Sequence, residues 1–270
     1  MATPTNMKEN NSPDTNITEL SEANAHLACN KKKRNKQFSS FLLENDLDIE
    51  QDIINLEITY FSIRNGCNLL KRIARNNGKI LFLSGSIHLH KLIKKYTAIN
   101  MQNYMLKWSG GLLTNFSSIL KSKNIAFKDP TKDTSLSNAA LLSRQKKNAK
   151  LQEKYEGIKN LTELPKAVVV FNPKNYKQAI AEARAKGILT IAIIDSNTKP
   201  FADYNIPLNV NSLLANEIVL RCFSKSILEG LQHAFKSQSR NDNHNTRTTT
   251  NNTRKNYVKP LQISNKTATK

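Results

Sequence analysis

Apolar positions start to recur with a regular period at residue 51. Asp52-Ile53-Ile54-Asn55-Leu56 predicts a short strand. Ile58, Phe61, Leu69, Leu70 and Ile73 then fall near the helical period up to Asn76, with Gly78 as a stop signal. Lys79-Ile80-Leu81-Phe82-Leu83 predicts a buried strand, and Ser84-Gly85-Ser86 turns the chain into a helix ending near Ile99. A polar, lysine-rich helical segment covers 136–156. Farther on, Ala167 to Phe171 predicts a strand and Pro173 opens a helix with Ala179, Ile180 and Ala183 on its inner face. Gly187 stops that helix in the manner of a C-terminal capping glycine. Leu189 to Ile194 is the next strand, and Ser212 to Phe235 the next helix.

Strands of five or six apolar residues that alternate with amphipathic helices predict a parallel sheet covered on both faces. Outside this stretch the pattern is lost. Residues 1–30 are polar and rich in Asn, Thr and Ser, so 1–50 reads as a largely disordered extension. It carries the basic cluster Lys31-Lys32-Lys33-Arg34-Asn35-Lys36. That cluster reads either as a solvated linker or, the favoured choice, as a phosphate-contacting arm. Residues 236–270 hold many Asn, Thr, Lys and Arg with Asp242 the sole acid, and read as a disordered basic tail able to fold onto RNA. The domain therefore runs over 51–235.

Charge narrows the partner. The 270 residues carry 41 Lys and Arg against 21 acids, a formal net charge of +20, while hydrophobic residues make up only 39%. Such an excess repels itself unless a polyanion accompanies the fold, and nucleic acid is the commonest one. No apolar run approaches the roughly 20 residues of a spanning helix, so no membrane partner is expected. Cys29, Cys67 and Cys222 are scattered and odd in number, which fits neither a disulfide framework nor a zinc site. Residues 1–30 hold Lys8 against Glu9, Asp14, Glu19 and Glu22, unlike a transit peptide or a secretory signal.

No catalytic set emerges. Ser84-Gly85-Ser86 sits where a doubly wound sheet binds its ligand, yet it lacks the glycine spacing and the Gly-Lys-Ser/Thr of phosphate-cradling loops. His88 and His90, two apart on a helix, point in different directions and cannot share a metal. Asp195 opens a run of turn-forming residues and is read as a turn cap, with no second acid beside it. No enzyme, cofactor, metal or small-molecule substrate is expected.

One segment stands apart. Lys107-Trp108-Ser109-Gly110-Gly111-Leu112-Leu113-Thr114-Asn115-Phe116 contains the sole tryptophan beside a Gly-Gly pair. It is either a tight corner packed by one aromatic or a place where Lys107 and Trp108 meet RNA, and local physics leaves the two even.

The segment resembles the R-W-L-G-G-M-L-T-N-[FW] signature of the bacterial-type S-two family of small-subunit ribosomal proteins. Companion blocks resemble the same family in the same order over 51–232. Ile53-Ile54-Asn55-Leu56-Glu57 is similar to H-I-I-N-L-E, and Gly78 to Leu83 to G-K-I-L-F-V. Gly157-Ile158-Lys159-Asn160-Leu161 with Leu164-Pro165 matches G-G-I-K-D-M and L-P-D. Ala179 to Ala183 through Gly187-Ile188, then Ile194-Asp195-Ser196-Asn197 with Pro200, and Ile206-Pro207, complete the set. There are departures: Lys107 replaces an arginine and loses its bidentate fork, and Leu208-Asn209-Val210-Asn211 replaces G-N-D-D. The family's H-F-G-H region has no clear counterpart.

The resemblance implies a three-layer α/β/α domain with a mostly parallel, flavodoxin-like sheet and a protruding helical hairpin at 117–156. It implies a structural, non-enzymatic constituent of the small ribosomal subunit bound to ribosomal RNA and neighbouring ribosomal proteins. An RNA-associated assembly or regulatory factor on the same fold is the alternative. Divergence and the Asn/Lys/Ile-rich composition suggest an organellar version, mitochondrial ahead of plastid. The expected RNA contacts are Lys31, Lys32, Lys33, Arg34, Lys107, Trp108, Lys121, Lys123, Arg144, Lys146 and Lys147, with Arg64, Lys71, Arg72 and Arg75 as weaker candidates.

Overall fold

The computed structural model describes residues 15–43, 50–127 and 138–255. In chain order the elements are α1 (Ile17–Glu22), β1 (Leu27–Asn30), β2 (Gln51–Ile53), α2 (Leu56–Arg75), β3 (Ile80–Ser84), α3 (His90–Ile99) and β4 (Asn103–Met105). There follow α4 (Phe116–Ala126), α5 (Asn138–Tyr155), β5 (Ala167–Phe171), α6 (Lys177–Ala185), β6 (Leu189–Ile194), β7 (Tyr204–Pro207) and α7 (Leu213–Lys255).

Five strands form a wholly parallel sheet in the order β4-β3-β5-β6-β7. Numbered from β3 as the first, this is the 2-1-3-4-5 order of flavodoxin-like sheets, with the reversal between β3 and β5. The near-continuous apolar runs of β3, β5 and β6 follow from burial on both faces. Ile80, Phe82, Val169, Phe171, Ile191 and Ile193 point into one core with residues of α2, α3 and α7. Leu81, Leu83, Val168 and Val170 point the other way, against Ala179, Ile180 and Ala183 of α6 and the turn at Ile158 and Leu161. The predicted α/β layering holds.

Local chemistry sets the helix limits. The Asn55 side chain caps α2 by accepting from Glu57 N (2.9 Å) and Ile58 N (3.5 Å). At its far end the left-handed position is taken by Asn77 (φ 56°), one residue before the expected Gly78. Gly78 N reaches Ile73 O (2.9 Å) and Asn77 N reaches Ala74 O (3.0 Å), the paired bonds of a Schellman cap. Helix α6 ends the same way at Gly187, through Ile188 N to Ala183 O (2.9 Å). Ser212 Oγ accepts from Ala215 N and opens α7. That helix was expected to end near Phe235, but no proline or glycine stands between Gly230 and Lys255 to stop it and it continues to Lys255. Residues 256–270 of the expected tail lie outside the described residues.

The expectation of a largely disordered 1–50 fails for residues 15–43. Leu20, Ala23 and Ala25 enter the first core, and Phe38 is fully buried against Ala192 and Ile194 of β6 together with Ala28 and Ile54. Strand β1 pairs antiparallel with β2, so the segment forms a second, two-stranded sheet over the face of β6. Its few apolar residues are spaced too widely to show a period, yet Leu20, Ala23, Ala25, Ala28 and Phe38 each have a place in the cores. Residues 1–14 and 44–49 lie outside the described residues.

Candidate nucleic-acid interface

The C-terminal edge of the sheet is where this topology binds small ligands, and here it is filled. Tyr176, between β5 and α6, is buried, and its hydroxyl donates toward Ser84 O (2.7 Å) and Leu106 O (3.0 Å) at the ends of β3 and β4. A Cβ at Gly85 would lie 3.2 Å from the Tyr176 ring. The amides a phosphate would need are also in use: Gly85 N donates to Phe171 O (3.2 Å) and Ser86 N to Ser84 Oγ (3.1 Å). The geometry opposes a nucleotide pocket at the switch point. Asp195 accepts from its neighbour Ser196 N (2.6 Å) and from Cys29 Sγ (3.0 Å), as befits a turn cap. Burial and that carboxylate push the Cys29 thiol up to about 11. His88 is exposed while His90 is partly buried, and among the described residues no three potential ligands cluster to hold a metal.

The Trp-Gly-Gly corner is built around Glu182 of α6. Trp108 Nε1 (3.3 Å) and Gly111 N (2.8 Å) donate to its Oε1, while Leu113 N (3.1 Å) and Thr114 Oγ1 (3.5 Å) donate to Oε2. Gly111 supplies the positive φ (81°) that folds the chain around the carboxylate. Leu112 and Leu113 are buried behind it, with Trp108 packed on the same core. Sequence reasoning missed Glu182: a glutamate on an amphipathic helix reads as solvated, and only the four converging donors expose its role.

Around this corner basic groups gather. Lys107 is exposed at the end of β4 and lines a cleft of about 780 Å³ with His90, Lys94, Tyr104, Trp108, Lys150, Glu153, Lys154 and Glu156. Lys31, Lys32, Lys33 and Arg34 follow β1 as an exposed turn fixed beside the end of β6 through Asn35 N to Ser196 O (2.8 Å). Lys33 and Lys174, the latter in the loop after β5, both act electrostatically on the Cys29 thiol and so face the same end of the sheet. Arg34 pairs with buried Asp52 (3.1 Å) yet keeps 43% of its side chain exposed. Lys121 on α4 and Lys146 and Lys147 on α5 are exposed, while the side chain of Arg144 lies outside the described groups.

Lys123 is a correction. Its side chain is buried, and Nζ donates to Lys159 O (3.0 Å) and Leu161 O (2.7 Å), so its charge is spent inside the domain. Burial also holds its ammonium below the usual lysine range. It pins α4 to the turn before β5, and Gln152 Nε2 to Ala126 O (2.7 Å) joins α5 to α4. Among the weaker candidates, Lys71 is engaged with Glu229 (2.7 Å), while Arg72 and Arg75 are exposed.

A flavodoxin-like sheet with its ligand crevice filled by its own tyrosine and rimmed by exposed lysines defines a scaffold and not a small-molecule pocket. The chain belongs to the ribosomal protein S2 family, whose profile it matches over residues 20–230. It is 32% identical over 225 residues to the small ribosomal subunit protein uS2 of Phocaeicola vulgatus, covering 81% of this chain and 80% of that protein. It is 30% identical over 219 residues to the uS2 protein of Chlamydia caviae, covering 78% of each. Against the uS2 protein of Ureaplasma parvum it is 29% identical over 226 residues, 79% of this chain and 63% of that one.

Proposed function

We propose that the chain is a structural, non-enzymatic constituent of a small ribosomal subunit, bound to ribosomal RNA and to neighbouring ribosomal proteins in support of translation. The observation that carries this reading, beside family membership, is the run of exposed lysines from Lys107 past Lys174 to Lys31–Lys33 around a crevice that Tyr176 keeps shut. Such a rim can neutralise phosphates without admitting a small molecule. Lys31, Lys32, Lys33, Arg34, Lys107, Lys121, Arg144, Lys146 and Lys147 remain its proposed RNA contacts. Trp108 serves first to hold the corner.

The subunit proposed is mitochondrial, with a plastid one as the alternative, a reading supported by the Asn/Lys-rich composition and the net charge of +20. Gradient sedimentation of organelle lysate tests both points. The chain is expected with small subunits and should stay there in moderate salt. Release in moderate salt would favour an assembly or regulatory factor, and a free pool with no ribosomal fraction would overturn the reading.

A further inference from the structure

The cleft beside Lys107 has walls that are fixed before any partner arrives. Trp108 is held by Glu182. Gly157 packs so closely on β4 that a Cβ there would sit 2.2 Å from Tyr104 O, so the turn after α5 is locked to the strand. Lys94 Nζ is bound to Glu156 (2.8 Å) and lies 5.8 Å from the centre of the Tyr104 ring. With that pair neutralised, Lys107, Lys150 and Lys154 face one remaining carboxylate, Glu153. Among the described residues neither Lys107 nor Lys150 makes an ion pair. His90, whose burial keeps its imidazole below the ordinary histidine value, adds an uncharged ring at neutral pH. The volume, about 780 Å³, lies within the 300–1,000 Å³ common for small-ligand sites.

The geometry points to an unpaired ribonucleotide as the occupant of this cleft, its phosphate at Lys107 and Lys150 and its base against Trp108 and Tyr104. This deepens the ribosomal reading and rests on it. A recessed aromatic wall is out of reach of a stacked duplex base, whereas a loop, bulge or strand end can offer an unstacked one. Stacking on a ring beside ammonium groups is tolerant of sequence, which matches a cleft lined by lysines and rings with little to read a base edge. The excess of ammonium over carboxylate groups favours an anion over an apolar peptide, and the Trp108 and Tyr104 rings in the lining favour a nucleotide over an acidic peptide.

Trp108 is the only tryptophan in the chain, so its emission reports on this cleft alone. The purified full chain is titrated with a single-stranded oligouridylate and with a blunt RNA duplex at several salt concentrations. Saturable quenching of Trp108 by the single strand and none by the duplex is expected. Lys107→Gln with Lys150→Gln should weaken the quenching at least tenfold and lower the salt slope by about 0.7 per lysine removed. Lys186→Gln, an exposed lysine at the far end of α6 and outside the proposed contacts, should leave it unchanged. The indole is not substituted, because it also holds the corner. Strand binding that leaves Trp108 silent, absence of strand binding, or quenching indifferent to Lys107 and Lys150 would each overturn the proposal. Loss of subunit association in the Lys107/Lys150 variant with strand binding intact would overturn it too, assigning the cleft to a protein. Sedimentation of the unsubstituted chain with subunits separates failure of this site from failure of the ribosomal reading.

Discussion

Trp108 and Glu182 stand 74 positions apart in sequence, yet the indole Nε1 donates to the carboxylate Oε1 at 3.3 Å. The same carboxylate holds two backbone amides of the corner. Glu182→Ala would leave Gly111 N and Leu113 N without acceptors, at about 1–3 kcal/mol for each buried group. Destabilisation of about 3 kcal/mol is expected in urea unfolding, with a red shift of Trp108 emission as the indole is released. Glu182→Gln keeps an acceptor and should lose less.

Lys123 separates buried from surface lysine. Lys123→Met removes the donor to Lys159 O and Leu161 O, and a loss of about 1–3 kcal/mol in stability is expected from the two carbonyls left behind. The salt slope of RNA binding should not move. Lys121→Met, on the exposed face, should show the reverse: stability within about 0.5 kcal/mol of the parent and a shallower slope. A lowered slope for Lys123→Met would restore it as an RNA contact.

Phe38 tests whether the N-terminal segment belongs to the domain. It is fully buried between Ala28, Ile54 and β6. Phe38→Ala should destabilise the whole domain by about 3–5 kcal/mol in a single transition. A separate low-stability transition, with the main one unchanged, would show the segment to be an independent appendage.

The Lys94–Glu156 pair gives a signed pH dependence. The hydrogen bond from Lys94 Nζ holds the Glu156 carboxyl below its ordinary value of 4.5 and raises the ammonium above 10.5. A depressed carboxylate contributes stability above its unfolded value, lost as pH falls through the folded one. A raised ammonium contributes below its unfolded value, lost as pH rises through the folded one. The contribution is therefore complete between the two ranges. Both side chains are largely exposed (43% and 55%), so it should amount to only about 0.3 kcal/mol. Carboxyl NMR titration should place Glu156 low in the parent and return it toward 4.5 in Lys94→Met.

Strands β3, β5 and β6 were legible because both faces are buried, which turns the sequence into an uninterrupted apolar run. Strand β4 was not: Asn103–Met105 is a three-residue edge strand with no such run. The segment Ile17–Phe41 escaped notice because its buried residues, among them Leu20 and Phe38, stand singly among polar neighbours and find their cores only through tertiary contact. At the candidate site the signal was partly chemical. Lys107 reads as a surface cation and is one. Lys123 and Glu182 read the same way, but their surroundings, supplied by residues 36–74 positions away, reverse their roles. Gly78 marked the end of α2 correctly, although the strained position fell to Asn77.

The first described residues are held by the last long helix. Thr15 Oγ1 meets Cys222 Sγ at 2.6 Å, Glu19 pairs with Arg221, and Ser212 Oγ donates to Ala23 O (2.6 Å). Contacts joined across some 189–207 positions cannot form until Ser212 to Cys222 have been made. At 5–20 residues per second, synthesis of the intervening stretch takes on the order of 10–40 s. Through that interval the basic turn Lys31–Arg34 emerges before the cores that α1 and α7 complete are closed.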